Sequence, residues 1–189
     1  MIKLIVAVDT GNAIGWSDGM LAYRGLKKDM ARFKALTTGG TVVMGMNTWK
    51  SLKRPTGLPN RKNMVLTRKP YSEVRDQFSA SADVDIVSSL EYVKQMADRL
   101  NADQPPVWII GGAATYDEAL RKGMVDEIHL TIVHASCEAD VRLKTDLAAW
   151  KLFVIRERTN NGVLWEPEIH ETEWDGDFQT SYIVLRKIK

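Results

Sequence analysis

Short runs of apolar residues recur along the first part of the chain and predict buried strands. The runs are continuous rather than alternating, which is typical of strands that are covered on both faces of a parallel sheet. Polar stretches and helical patterns separate them. The predicted strands are Ile2–Val8, Thr41–Met44, Asn63–Leu66, Val84–Val87 and Val107–Ile110.

Helical spacing of apolar residues appears between several of these strands. A first helix is predicted to place Leu26, Met30, Phe33 and Thr37 on one face and to end before Gly39-Gly40. The capping-box pair Ser88 and Glu91 predicts the start of a second helix, whose apolar stripe is Leu90, Val93, Ala97 and Leu100. A third helix is predicted from Ala113 to Lys122, with Tyr116 and Leu120 facing inward and Gly123 as its stop.

The last third of the chain changes character. Long apolar segments separated by polar loops predict antiparallel strands over Val125–Val133, Trp150–Arg158 and Gln179–Lys187. The polar stretches Pro70–Asp83, Asn101–Pro106 and Asn160–Asp177 are predicted to be loops. We therefore expect one α/β domain over residues 1–189. Its central twisted sheet would have about eight mostly parallel strands, an antiparallel C-terminal part, and helices on both faces.

Composition narrows the class of protein. The 189 residues are 44% hydrophobic and carry a formal net charge of +2, which gives no electrostatic footprint for nucleic acid or an anionic membrane surface. No apolar run approaches the roughly 20 residues that span a bilayer. The single cysteine, Cys137, fits a reducing compartment. We expect a cytoplasmic protein with no nucleic-acid or membrane partner.

Several chemistries find no support in the motifs. The sequence has no nucleophile elbow, no P-loop, no HExxH helix and no CxxC pair. Its three histidines, His129, His134 and His170, lack metal-like spacing. We expect no metal site.

Asp29 is the most informative exception to the apolar pattern of the first predicted helix. At about 100° per residue it falls inside the apolar arc of the first helix, and not on the polar face with Lys27 and Arg32. A buried carboxylate needs partners or a polar ligand, because burying an unpaired charge is costly. An acid in a first turn also complements the helix dipole, and spacing alone leaves both interpretations open.

Two glycine sites follow predicted strands. Thr41–Met44 leads into Gly45, and Val107–Ile110 leads into Gly111-Gly112. Ligands of open parallel sheets bind at such strand ends, where glycine admits a phosphate and the next helix offers N–H groups. Each glycine alone fits a plain strand-to-helix turn equally well, and neither site is a GxGxxG fingerprint.

Taken together, these pieces resemble the dihydrofolate reductase family. The motifs match in order and spacing over nearly the whole chain: Ala7 through Ile14-Gly15, Asp29 with Phe33-Lys34, Gly45-Met46-Asn47-Thr48-Trp49, Leu58-Pro59-Asn60-Arg61, and Ile110-Gly111-Gly112 with Tyr116. The resemblance implies hydride transfer from NADPH to 7,8-dihydrofolate, which yields tetrahydrofolate for one-carbon metabolism.

The resemblance also implies a substrate site. Asp29 would orient the pterin ring and favour its protonation at N5, and Arg61 would pair with the glutamate α-carboxylate. The remaining implied substrate residues are Ile5, Ala7, Phe33, Leu52, Leu58, Ile110, Tyr116 and Thr131.

The implied cofactor site covers the glycine edges and the adenosine strand. Thr48 would cap the helix that begins there, and Gly15–Arg24 would be a lid over the nicotinamide. The implied cofactor residues are Ala7, Ile14, Gly15, Gly45, Met46, Asn47, Thr48, Leu66, Thr67, Arg68, Ile110, Gly111, Gly112, Ala113, Ala114, Thr115 and Tyr116.

Four positions depart from the family's usual pattern. The lid reads Leu21-Ala22-Tyr23 where Leu-Pro-Trp is usual, so Tyr23 would bond a water near Asp29 as a second catalytic residue. Met46 and Ala114 stand where basic residues are common, which leaves Arg68 to hold the cofactor's 2′-phosphate. These departures indicate a divergent member of the family, and a viral source and a drug-tolerant variant are two interpretations of them.

Two other functions stay open at this point. A reductase of the same fold could act on another pterin or on a pyrimidine of riboflavin synthesis, but it does not need Asp29 and Arg61 together. A structural descendant without activity could retain the fold. For the enzyme we expect a monomer with dihydrofolate as its small-molecule partner.

Overall fold

A mixed β-sheet forms the centre of the protein, for which a computed structural model describes residues 1–78, 83–101, 103–170 and 172–188. Its strands are β1 (Ile2–Asp9), β3 (Thr41–Gly45), β4 (Lys62–Leu66), β5 (Val84–Val87), β6 (Val107–Gly111), β7 (Glu127–Val133), β9 (Leu164–Ile169), β10 (Glu173–Asp175) and β11 (Phe178–Ile188). Two short strands, β2 (Ala13–Gly15) and β8 (Val141–Arg142), pair separately.

The strand order is β10-β11-β7-β1-β6-β3-β4-β5, with β9 also paired to β11. The run from β7 to β5 is parallel throughout, and β9, β10 and β11 add antiparallel pairings at one side. The predicted fold class is therefore confirmed, with nine strands in the main sheet over the described ranges instead of about eight.

Helices cover both faces of this sheet. They are α1 (Lys27–Thr37), α2 (Met46–Ser51), α3 (Tyr71–Val74), α4 (Leu90–Asp98), α5 (Ala113–Arg121) and α6 (Trp150–Asn161). Leu4 of β1 belongs to the core that contains Val93 of α4 and Ala119 of α5, whereas Ile5 faces the core against which Phe33 of α1 packs. Successive residues of β1 thus serve opposite layers. None of the helices in the described ranges is long and apolar enough to cross a membrane.

The prediction of a strand over Trp150–Arg158 is wrong, because this segment forms α6. Only Phe153 of the helix is buried, while Leu152 and Ile155 are 52% and 58% exposed. A short apolar run does not distinguish a strand from a helix. Gly162, with a φ of +68°, ends the helix in the left-handed conformation that glycine adopts easily.

Two details of the predicted helices are also corrected. The cap of α4 is Ser89, whose hydroxyl accepts the Tyr92 N–H, and not Ser88, because the helix begins one residue later than the capping box implied. Met30 of α1 is 49% exposed although the helical wheel placed it inward. Helical spacing predicts the direction of a side chain, but it does not show whether another element packs over that side chain.

The predicted loops contain more structure than expected. Pro70–Asp83 includes α3 and a 3₁₀ turn over Arg75–Gln77, and Asn160–Asp177 includes β9 and β10, so these predictions are wrong in part. The described part of Asn101–Pro106 is a loop. Residues 79–82, 102 and 171 of the three stretches lie outside the described residues.

The packing of α6 generates a stability prediction. Phe153 is 8% exposed and its ring lies 5.8 Å from that of Trp165, so Phe153→Ala should lower the free energy of unfolding by about 3–5 kcal/mol. The neighbouring change Leu152→Ala should alter it by less than about 0.5 kcal/mol, because Leu152 is exposed. Urea unfolding measures the free energy of unfolding of both variants. A larger loss for Leu152→Ala than for Phe153→Ala would contradict a helix that faces the core with Phe153.

Candidate active site

The two predicted glycine sites meet at one edge of the sheet. Strands β3 and β6 are parallel neighbours, and Met44 pairs with Gly111. A Cβ on Gly111 would lie 3.3 Å from the Tyr116 hydroxyl oxygen, and one on Gly112 would lie 3.2 Å from Thr48 Oγ1. Both distances are tighter than ordinary van der Waals contacts, so a larger side chain would crowd its neighbours at either position. Glycine therefore leaves the backbone of this edge accessible to a ligand.

A helix starts directly after each glycine site. Gly45 and Gly112 are the N-cap residues of α2 and α5, so their first amide groups lie at the same sheet edge. This arrangement suits a phosphate. Thr48 does not cap α2 as expected, because it is the third residue inside the helix.

Asp29 faces the sheet from the first turn of α1. Its Oδ1 accepts a hydrogen bond of 2.7 Å from the hydroxyl of Thr131, a buried residue of β7. Thr131 pairs with Ala7 of β1, which places the carboxylate near the carboxyl ends of two central strands. Asp29 therefore has a hydrogen-bond partner on the sheet in addition to its place in the first turn of the helix.

The surroundings of Asp29 alter its affinity for a proton. Burial has the largest effect and raises the pKa of Asp29 above its ordinary value. The hydrogen bond from Thr131 and the positive charge of Arg32 lower that pKa, while the negative charge of Asp175 raises it. Burial and Asp175 together outweigh the other two influences.

The Tyr116 hydroxyl lies at the glycine edge, close to Gly111. Its hydroxyl donates to the backbone oxygen of Ile5 at 2.8 Å. Burial, and then the charge of Asp29, raises the pKa of Tyr116, so the phenol stays protonated. Ile110, 9% exposed, lies in the same core cluster as Ile5.

The predicted apolar tail-binding residues share a core cluster with Ile5. Phe33, Leu52 and Leu58 all pack against the core cluster beneath the helix. The Arg61 guanidinium lies 5.7 Å from the Phe33 ring centre and donates through Nε to Thr37 Oγ1 at 2.8 Å. Burial lowers the pKa of Arg61, which indicates a partly shielded cation. A surface cavity of about 410 Å³ opens beside Leu58 and Arg61.

The predicted adenosine residues follow β4. Leu66 ends the strand, and the Thr67 hydroxyl accepts the Lys69 N–H at 3.1 Å, which shapes the turn. Arg68 is exposed in that turn, next to Lys69, whose ammonium lies 3.9 Å from a carboxylate oxygen of Glu73.

Tyr23 is engaged differently from the expectation. Its hydroxyl donates to Asp9 Oδ2 at 3.2 Å, and its ring packs edge-on against Phe178 at 4.8 Å, so it anchors the predicted lid to β1 instead of reaching toward Asp29. Ile14 and Gly15, in β2, begin this segment. Asp9 attracts the hydroxyl because a fully buried carboxylate requires several donors.

Sequence reasoning missed Asp9 and Asp175. Asp9 accepts the amides of Gly11, Ala13 and Cys137 in addition to Tyr23. Its position at the end of a buried strand could have indicated a buried carboxylate that needs hydrogen-bond donors. Asp175 binds the amides of Lys28 and Asp29, a long-range contact that no local pattern indicated.

The fold and the site together define a class of protein. An α/β sheet with a glycine-lined phosphate edge, and a protonatable acid beside it, has the parts of a reductase that uses a dinucleotide.

Comparisons with known proteins identify the family within this class. A family model described as dihydrofolate reductase matches residues 1–175. The putative dihydrofolate reductase of Caenorhabditis elegans is 37% identical over 161 residues (76% of this chain, 77% of that protein). The dihydrofolate reductase of Bacillus subtilis (strain 168) is 33% identical over 162 residues (85% and 86%). The chain belongs to the dihydrofolate reductase family, which confirms the resemblance seen in the sequence.

A solved structure supports the fold independently. The dihydrofolate reductase from Enterococcus faecalis, complexed with NADP(H) and RAB-propyl, superposes with a TM-score of 0.72 at 24% identity. The alignment covers 100% of this chain and 97% of that one.

The Asp9 cluster generates a prediction about acid stability. Burial alone would raise the pKa of Asp9, but its hydrogen bonds from Cys137, Ala13, Gly11 and Tyr23 together hold that pKa below its ordinary value. This stabilisation is present above the unfolded pKa of about 3.9 and is lost as pH falls through the lower folded value. Asp9→Asn should remove this part of the pH dependence and cost about 1–3 kcal/mol near neutrality.

Urea unfolding between neutral and strongly acidic pH measures the effect. Asp103→Asn, at an exposed turn residue, is the matched control and should change little. An Asp9→Asn profile parallel to that of the unmodified protein would contradict the interpretation.

Proposed function

We propose that Asp29 is the acid of the reaction, and that the residues around it and along the glycine edge hold dihydrofolate and NADPH. As a member of its family, the chain is an NADPH-dependent oxidoreductase that reduces 7,8-dihydrofolate to 5,6,7,8-tetrahydrofolate. When bound at this edge, NADPH would supply a hydride to the pterin ring, while a proton adds at N5. The observation that carries the assignment is the half-buried carboxylate of Asp29 on the Thr131 hydroxyl.

Asp29 binds and orients the pterin in this proposal. Its free Oδ2 and the Thr131-bound Oδ1 face the pterin's amino group and ring N3, so the ring lies in one orientation against Ile5 and Ala7. Because the pKa of Asp29 is raised, Asp29 binds a proton more readily than an exposed aspartate, which suits a reaction that consumes one. Tyr23 is bonded to Asp9 and plays no part in this step as proposed here.

The substrate's tail would extend along α1 to Arg61. Phe33, Leu52 and Leu58 would enclose the p-aminobenzoyl ring through apolar contacts. Arg61 is held by Thr37 and by the backbone oxygen of Pro59 at 2.9 Å. A bidentate pair with the α-carboxylate would replace the longer contacts of its Nη2 with Lys34 O and Thr38 Oγ1.

The glycine edge fits the cofactor's pyrophosphate. Gly45, Gly111 and Gly112 keep side chains away from the sheet edge, and the first turns of α2 and α5 direct N–H groups to it. Asn47, Thr48 and Thr115 add polar atoms there, while Ala7 and Ile14 would meet the nicotinamide. Leu66, Thr67 and Arg68 would flank the adenosine.

We also propose that the protein acts as a cytoplasmic monomer.

Asp29→Asn tests the assigned acid. The amide keeps the size of the side chain but cannot carry the proton, so kcat/KM for dihydrofolate should fall about 10²-fold or more at neutral pH. Activity should recover partly at low pH, where the substrate is already protonated. NADPH oxidation, followed with and without dihydrofolate, is the measurement. Asp76→Asn, at an exposed residue, is the control.

The outcome separates the two interpretations of Asp29. A variant that matches the unmodified enzyme at neutral pH would leave Asp29 as a helix-dipole residue only. Absence of turnover by the folded, unmodified protein would overturn the proposal as a whole.

Arg68→Ala tests the phosphate contact. With Met46 and Ala114 in place of basic residues, the exposed Arg68 is the proposed partner of the 2′-phosphate, and a charge-assisted contact contributes roughly 1.5–3 kcal/mol. The KM for NADPH should rise about tenfold or more, while the KM for NADH should stay nearly constant. The NADPH preference should also shrink as salt rises.

Lys69→Ala is the matched control, because Lys69 is the adjacent cation and already faces Glu73. Equal effects of Arg68→Ala on both cofactors would assign the phosphate to neutral hydrogen bonds from Asn47 and Thr67 instead.

A further inference from the structure

The first turn of α1 is held by a side chain that is distant in sequence. Leu26 occupies the N-cap position and has no polar side-chain atom to accept an amide. The carboxylate of Asp175, at the end of β10, accepts the backbone N–H of Lys28 at 2.9 Å and that of Asp29 at 2.8 Å. Asp175 is only 2% exposed, so water competes little for these bonds. The backbone of the acid is thus fixed from another element.

The hairpin that carries Asp175 contacts the same helix at further points. Glu173 lies two residues earlier, on the same face of β10. Its carboxylate binds Lys28 Nζ at 2.6 Å and Arg32 Nη2 at 3.2 Å. At the turn, a Cβ on Gly176 would lie 2.9 Å from the backbone oxygen of Gly25, so the hairpin rests directly against the segment that enters α1. Asp175 therefore has little freedom to move relative to Asp29.

The charges around Asp29 come from three elements. The titratable groups that face its carboxylate are Arg32 of α1, Asp175 of β10 and the phenol of Tyr116 on α5. The negative charge of Asp175 opposes ionisation of Asp29, whereas the positive charge of Arg32 favours it. Asp175 is therefore placed to act on the position of Asp29 and on its affinity for a proton.

We propose that Asp175 is a positioning residue for the reduction of dihydrofolate. By holding the amide of Asp29 it fixes the acid against Thr131, and its charge helps to retain the proton that the reaction consumes. This role rests on the function proposed above for Asp29.

Asp175→Asn removes the charge and keeps the hydrogen bond to Asp29. The amide oxygen can still accept from the Asp29 N–H, whereas the bond from the Lys28 N–H is lost with the negative charge. The fall of kcat/KM with rising pH should move to lower pH by about half a unit to one unit, because Asp29 then loses its proton more easily. Asp177→Asn is the matched control: it removes the same charge from an exposed position two residues later and should leave the profile unchanged.

Asp175→Ala removes the hydrogen bonds as well. It should lower kcat/KM for dihydrofolate about tenfold or more at every pH, because a small displacement of a catalytic group is costly. The KM for NADPH should be unchanged, since the proposed cofactor residues lie along the glycine edge. Thermal unfolding and NADPH binding establish that each variant is folded, and Asp175→Ser, which retains one acceptor, replaces any variant that is not.

The outcomes distinguish a failure of the proposed function from a failure of the role of Asp175. If the unmodified protein oxidises no NADPH with dihydrofolate, the proposed function fails and this role fails with it. If the protein is active and Asp175→Asn loses thermal stability without any shift of the pH profile, Asp175 is a structural cap only, and the positioning role is overturned while the function stands.

Discussion

The hydrogen bond between Thr131 and Asp29 is the contact on which the rest of the site depends. It joins the first turn of α1 to the centre of the sheet at 2.7 Å and binds a half-buried carboxylate that forms no ion pair within the part of the chain that the structure describes. Such a position is unfavourable for the charged form. Arg32 stabilises that charge, whereas Asp175 opposes it and fixes the acid through the backbone N–H of Asp29.

The topology explains how these supports come together. Parallel strands β1 and β6 end at one sheet edge, where the glycines leave backbone accessible and the next helices begin. The antiparallel β10–β11 hairpin at the other side of the sheet returns to α1 and supplies Asp175. The parallel part of the sheet thus carries the proposed cofactor edge, and the antiparallel part positions the acid.

Local patterns were sufficient for some of this and not for the rest. The glycine edges and Asp29 could be predicted because a strand end and a helix face are visible within a few residues of sequence. The nature of α6 could not, because its apolar run fits either a strand or a helix until Phe153 is seen to be its only buried residue. The hydrogen bond from the Asp29 amide to Asp175 joins residues 146 positions apart, so no local pattern predicts it. The Tyr23 hydroxyl binds Asp9 and not a water near Asp29, because a buried carboxylate needs hydrogen-bond donors.

The central claim is that the environment of Asp29 favours the protonated acid. An NMR titration of its labelled carboxyl carbon in the protein without ligands tests this directly, with Asp29→Asn used to assign the resonance. The account predicts a midpoint above the ordinary value of about 3.9. A midpoint at or below that value would show that hydrogen bonds and Arg32 outweigh burial, and would contradict the account.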